Sequence, residues 1–575
     1  MTQQITSYKN QQKQIMKLKR FFIVAAIFAA FLTSCKEDEL TQEVIEGNIS
    51  TNTTWAEGET FIIRGDVYID NANLIIQPGA TIRFEAGASL SIGYTGAASI
   101  TANGTVEKPI TFTSTLDSPT AGAWKGIYLY DNNSSNSSLK YCQFKYAGTN
   151  DNGLFNLVGT SCTFSNNTIQ FSKKLGIYCN DVDSYFVEMN DNTISDCGSH
   201  AVRISATKTH TIGTGNTFTC ADGYGINIWG SNVSGTVTWK KLTTPYYIED
   251  DVYIDNSTFT IEAGTILKFN TYGSMSIGYT NTATFIANGT PTSNIVFTSS
   301  SSTPTAGAWD GLYFYESNLQ NSSMTYCEVA YAGKSSGQAI QISGTMLTFN
   351  NNIVHYSNET GINIIYDGSF VAMNNNTINN CGKHAIIMNA KNFHTIGTGN
   401  VITTASDMGI FLDGGTVSSA VTWKKQLVAV IINSDVYVDN ALTIEAGSTF
   451  KFGANGYIWF GYNSTIAQLN AIGTSTNPIV FTAWSATPSA GAWTGLFFDS
   501  NTSSNTTLDY CEVKYAGKGN DKAAIYLRGV NGITIKNSKL QYSEGWGIYK
   551  ESSTLSAGST GNTFTSCAYG DEGTN

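Results

Sequence analysis

A chain that repeats itself at long, regular intervals must bury each unit against the next, and this one does so three times. Asp66-Val67-Tyr68 returns as Asp251-Val252-Tyr253 and again as Asp435-Val436-Tyr437. Ala-Gly-Ala-Trp ends at Trp124, Trp309 and Trp493, and Tyr-Cys places Cys142, Cys327 and Cys511 at the same spacing. Such self-similarity is the signature of stacked architecture.

Inside each unit runs a shorter period. Apolar residues that follow a turn-forming Asn or Cys fall at Phe144, Ile169, Ile194 and Phe218, then at Val329, Val354, Ile378 and Ile402, and finally at Val513, Leu540 and Phe564. Most steps are about 24 residues, within the range of solenoid repeats. Short alternating runs of Ile, Val, Phe, Tyr and Thr surround them, broken by Asn, Gly and Ser, and almost nothing has helical spacing. Three short strands per step are what a parallel β-helix requires, because each coil must return directly above its predecessor. Asn167, Asn192 and Asn216 each sit two residues before an inward position, which assigns them left-handed corners.

Strings such as Leu74-Ile75-Ile76-Gln77-Pro78-Gly79, Pro109-Ile110-Thr111-Phe112-Thr113-Ser114, Trp124-Lys125-Gly126-Ile127 and Tyr146-Ala147-Gly148 resemble the right-handed β-helix repeat proteins of bacterial surfaces, which share the pectin lyase-like fold. The resemblance implies an all-β, single-stranded right-handed parallel β-helix (solenoid) from about residue 49 onward, and it carries no catalytic residues with it. The expected organisation is a leader (1–34), an acidic tether (35–48) and three tandem units of about 184 residues: 49–232, 233–416 and a truncated 417–575. The third is shorter because Cys567 matches Cys197 and Cys381, and the coils that carry His210 and His394 have no counterpart after it. Roughly 22 coils stacked ~4.8 Å apart would make a rod of about 105 Å.

Residues 16 to 35 read as a lipoprotein signal: Met16 as the true start, then Lys17, Lys19 and Arg20, an apolar run from Phe21 to Leu32, and Leu32-Thr33-Ser34-Cys35. The apolar run is too short to span a bilayer. Leu-Thr-Ser-Cys resembles a lipobox, so Cys35 is the expected lipidation site; a plain signal peptide that happens to contain a Cys is the alternative. Lys36-Glu37-Asp38-Glu39 resembles the acidic run that sends Bacteroidota lipoproteins to the outer face, or else it is a solvated spacer. The expected location is therefore the outer membrane, surface-exposed, with membrane contact through the N-terminal lipid only. Losing the leader removes five basic and no acidic residues, leaving 27 basic against 43 acidic. That surface repels polyanions and argues against nucleic acid as a partner.

Cys162 corresponds to Leu347 and Ile533, so that position takes any apolar residue, and the cysteines read as small core hydrophobes. If one pair were bridged it would be Cys142 with Cys162. In Trp124-Lys125-Gly126-Ile127-Tyr128-Leu129-Tyr130, Ile127 and Leu129 suit the interior, and alternation sends Tyr128 and Tyr130 outward. Trp309, Tyr313 and Tyr315 repeat the pattern; the third unit has Trp493 and Phe497, with Asp499 in place of the last Tyr. Flat rings at regular spacing can stack on sugar faces, so these residues form a candidate stripe for a polysaccharide or a surface protein. The competing assignment folds each Trp over the coil corner and packs the Tyr rings on neighbouring loops.

Catalysis is a weaker expectation. The acids Asp66, Asp70, Asp251, Asp255, Asp435 and Asp439 recur in triplicate, which fits turns better than one active site. His200 with Arg203, after Asp181 and Asp183, is peculiar to the first unit, since Arg203 becomes Ile387, and it is the best candidate for a polysaccharide lyase or hydrolase. The spacing of the five His suggests no zinc site, and no cofactor is implied. Arg64-Gly65-Asp66 spells an integrin-binding string but is not repeated. Adhesion or polysaccharide capture is the leading functional expectation, with a structural surface role as a further alternative.

Overall fold

The computed structural model describes residues 42–575 except 150–151, 231, 319–320, 404–407, 464 and 521; the leader and Cys35 lie outside them. The chain winds as a right-handed parallel β-helix of about 22 turns, and every strand-to-strand pairing among the described residues is parallel. Two short 3-10 helices, Ala206–Thr211 and Ala390–Thr395, are the only helical elements described. Each expected inward residue stands on its like: Phe144 on Ile169, Ile169 on Ile194 and Ile194 on Phe218, then Val329, Val354, Ile378 and Ile402, then Val513, Leu540 and Phe564. All but Phe564 are buried, and together they fill one continuous core. The coils early in a unit are wider than expected, with Ile82, Phe112 and Phe144 on successive rungs yet farther apart in sequence than the later ones, because loops swell between the strands.

The corners differ from the sequence expectation. The left-handed residues are those just before the Asn: Asn166 (φ 59°), Asp191 (φ 55°) and Gly215 (φ 70°). The Asn side chains turn inward and form a ladder of their own. Cys142 N donates to Asn167 Oδ1 at 2.8 Å, Asn167 N to Asn192 Oδ1 at 2.9 Å and Asn192 N to Asn216 Oδ1 at 3.0 Å. Each amide in turn donates to a backbone carbonyl, of Leu139, Phe164 and Met189. At a corner the strands splay and the backbone groups lose their partners, and a short carboxamide is the side chain that can both accept and donate there.

The units do not stack face upon face. One ladder, through Phe61, Ile82, Phe112, Phe144, Ile169, Ile194 and Phe218, ends among the described strands at Thr217–Thr219. The next ladder, through Val67, Leu90, Ile127, Phe155, Ile177, Val202 and Ile226, runs on through Tyr246 to Leu267. Leu267 is the counterpart of Ile82, so a position on the first face of one unit lies on the second face at the next. The second junction repeats this: one ladder ends at Val401–Thr403, and Ile362, Ile386, Ile410, Val430 and Phe450 form an unbroken line across it. A unit is a whole number of coils plus one face, and successive units are rotated accordingly.

Candidate functional site

The three Trp face inward. Trp124, Trp309 and Trp493 are no more than 1% exposed, so their rings are closed to any ligand. Each indole lies flat on a core Phe, with centroids 3.8 Å apart for Phe84–Trp124, 4.2 Å for Phe269–Trp309 and 4.0 Å for Phe452–Trp493. Each Nε1 donates to a carbonyl of the coil above, of Lys145 (2.9 Å), Ala330 (2.7 Å) and Lys514 (2.7 Å). That hydrogen bond offsets the cost of burying the N–H.

The Tyr residues are placed as alternation requires. Ile127 and Leu129 are buried while Tyr128 and Tyr130 stand half-exposed on the outer surface, as do Tyr313 and Tyr315. They gather around a residue that alternation alone does not single out. Tyr94 is 53% exposed and lies edge-on to Tyr130 at 4.9 Å and over Tyr68 at 5.5 Å. In the second unit Tyr279 meets Tyr315 at 5.0 Å and Tyr253 at 5.8 Å. The overlooked signal was present as Gly93-Tyr94-Thr95, Gly278-Tyr279-Thr280 and Gly461-Tyr462-Asn463, spaced like the other repeats.

In the first two units the loop under this Tyr is held by one of the recurrent acids. Asp70 accepts from Thr95 N (2.9 Å), Thr95 Oγ1 (2.8 Å) and Gly96 N (3.1 Å), and Asp255 accepts the same set from Thr280 and Asn281. Burial pushes the Asp70 carboxyl up, but these hydrogen bonds outweigh it and hold the group below its ordinary value. Gly93 adopts φ +72°, and a Cβ there would stand 2.5 Å from Asn133 N, so glycine is required beside the Tyr. Asp66 accepts from Ser89 Oγ (2.6 Å) and Lys125 Nζ (2.8 Å), while Arg64 pairs with Glu85. The Arg-Gly-Asp string is thus occupied by its own coil contacts.

Polar groups stand among the rings. Ser91 is paired with Tyr128 on the neighbouring rung, and Tyr313 Oη lies 2.8 Å from Ser336 Oγ. The third unit departs from this pattern. Trp459 stands where Ser91 and Ser276 stand in the others, Asp499 replaces Tyr130, and Arg528 grips Asp499 at 2.8 and 2.6 Å from a position over the Trp459 ring.

The three clusters form no continuous stripe, because the rotation of the units separates them. Tyr128 belongs to the ladder that runs through Asn156, Tyr178, Arg203 and Asn227 to Tyr247. Tyr313 belongs to the ladder of Tyr253, Gln341 and Asn363, and Phe497 to that of Tyr437, Trp459 and Tyr526.

His200 and Arg203 are engaged elsewhere. His200 Nδ1 accepts from Gly225 N at 3.1 Å, its ring packs edge-on to Tyr224 and Tyr247, and burial lowers its pKa to about 4. Arg203 binds Glu249 (2.9 Å) and Tyr178 Oη (3.2 Å). Asp181 accepts from Asp183 N within its own turn. Among the described residues no group of three or more His, Cys, Asp or Glu is arranged to hold a metal ion. The nine described cysteines, Cys142 and Cys162 included, are free thiols.

The model of a pectate-lyase-like beta-helix domain matches the chain at residues 47–163, 230–356 and 414–535. No curated protein and no solved structure matches it. The three matches begin at nearly the interval read from the repeats, and together they cover more than half of the chain. A chain whose strands coil in parallel around ladders of like residues, and which meets that model three times over, belongs to the family of pectate-lyase-like β-helix domains.

Proposed function

We propose that this protein is a surface-displayed β-helix, tethered through lipid on Cys35, that captures a neutral polysaccharide on its outward Tyr clusters. The observation that carries this reading is the exposed Tyr94, held on an Asp-pinned loop edge-on to Tyr130, and its repetition at Tyr279 and Tyr315. A ring fixed in this way gives a sugar a flat face at little cost in side-chain entropy, and the Asn and Ser groups beside it match sugar hydroxyls. The excess of acid over base disfavours anionic chains. A glycan array probed with the full chain tests the reading. Neutral glycans should bind the wild type and be lost on Tyr94→Ala/Tyr279→Ala; signals unchanged in the double variant would refute it.

A further inference from the structure

The rotation of the units sets how many chains the rod can hold. Seven pairings carry the ladder from Tyr68 to Tyr247, and Tyr253 follows one face further on. At ~4.8 Å per coil the Tyr94 and Tyr279 clusters are therefore about 35 Å apart along the axis, and they also face different ways around it. A linear polymer lying along one face meets one cluster and passes the other by. A tandem array built to grip one chain would keep its sites in line, which requires a whole number of coils per unit.

We propose that the rod is a cross-linker, in which the like clusters at Tyr94 and Tyr279 each hold a separate glycan chain. The inference rests on the glycan-binding reading above. The third cluster is left out of the pair because Asp499, locked to Arg528, stands where Tyr130 and Tyr315 stand beneath the exposed ring.

Calorimetry and light scattering on the purified full chain, monomeric before ligand is added, test this with cellohexaose, xylohexaose and mannohexaose and with their soluble polymers. The hexasaccharide that binds should do so at two equivalents per chain. Tyr94→Ala or Tyr279→Ala alone should leave one equivalent, with its Kd within twofold of the wild type. The matching polymer should raise the scattering of the wild type at least tenfold and of neither single variant. One equivalent abolished by either variant would show a single chain spanning both clusters and overturn the inference while leaving glycan binding intact. Three equivalents, or scattering that survives in both single variants, would overturn the two-site form. Binding of none of the three hexasaccharides or polymers would overturn the glycan reading itself, and the cross-linker with it.

Discussion

Tyr94 stands edge-on to Tyr130, with ring centroids 4.9 Å apart and planes at 69°, and the loop that holds it there is fastened to the carboxylate of Asp70. Asp70 is thus a positioning residue for the exposed ring. Asp70→Ala should cost about 1.5–3 kcal/mol of stability, the range for hydrogen bonds to a charged group, and should weaken glycan binding at that cluster with Tyr94 unchanged. The sign with pH follows from the lowered pKa. The contribution is fully present above the unfolded carboxylate value and is lost as pH falls through the lower folded one. Denaturant titrations of both proteins near pH 7 and near pH 3 check it, and the gap between them should narrow in acid.

The inward ladders make a sharper forecast, because adjacent residues of one strand face opposite ways. Ile194 lies buried between Ile169 and Phe218, while Thr193 beside it is exposed. Ile194→Asp should destabilise by more than about 4 kcal/mol, since it buries an unpaired charge. Thr193→Asp should stay within roughly 0.5 kcal/mol of the wild type. Asn192→Ala should fall between, at about 2–4 kcal/mol, because it leaves Asn167 N and the Phe164 carbonyl unpartnered. Equal melting curves for the first two variants would refute the register. Lys125 is a poor outward control, since its ammonium lies 2.8 Å from Asp66 and Lys125→Asp would set two carboxylates together.

The fold was legible because a parallel coil must repeat its inward residues at the coil length, and like-on-like ladders write that length into the sequence. What the period could not convey was azimuth. The long repeat is equally compatible with a whole number of coils and with one face more, since bulging loops make coil length uneven, and so the expected stripe became clusters on separate faces. Side-chain direction was legible inside strands, where alternation fixes it for Tyr128 and Tyr130, and ambiguous at corners. There Trp124 turned inward, stacked on Phe84 with its N–H donating to the Lys145 carbonyl. The Asn likewise gave up the left-handed position to its neighbour and paired with the backbone. Tyr94 was missed because it sits in a loop, outside the short period of inward residues, although the long period repeats it at Tyr279 and Tyr462.

The thiols offer a check on the core. All nine described cysteines are free, and six of them are buried. Burial pushes the Cys197 and Cys381 thiols up to about 12, so little thiolate is present at neutral pH. A Cys35→Ser chain unfolded in guanidinium should release nine reactive thiols, and in native buffer no more than the three partly exposed ones, Cys197, Cys220 and Cys567. Four stoichiometric disulfides would overturn the assignment.

Anchoring can be tested apart from binding. Cells fed an alkyne fatty acid should label the wild type and leave Cys35→Ser unlabelled, and protease added to intact cells should digest the displayed protein. Equal labelling would dispose of the lipid. Resistance to protease would place the rod on the inner side of the membrane.

His200 separates a structural imidazole from a catalytic one by its pH behaviour. Its Nδ1 accepts the Gly225 N–H, so the fold requires the neutral ring, and burial lowers its pKa from the usual 6.5 to about 4. Above 6.5 both folded and unfolded chains carry it neutral, and pH has no effect through this group. As pH falls from 6.5 towards 4 the unfolded chain takes up a proton that the folded chain refuses, and stability declines; below about 4 the decline stops. His200→Asn keeps a hydrogen-bond acceptor near Gly225 without a titrating group, so it should flatten this part of the profile while costing about 1 kcal/mol or more at pH 7 through lost packing on Tyr224 and Tyr247. Melting temperatures measured at half-unit steps from pH 7.5 to 4 decide it. Identical slopes in the two proteins would show that His200 is protonated equally in both states, contrary to its burial. Bound polysaccharide should be retained by the variant, and reducing or unsaturated ends that appear with the wild type and vanish with His200→Asn and with Arg203→Ala would restore this pair as an active site.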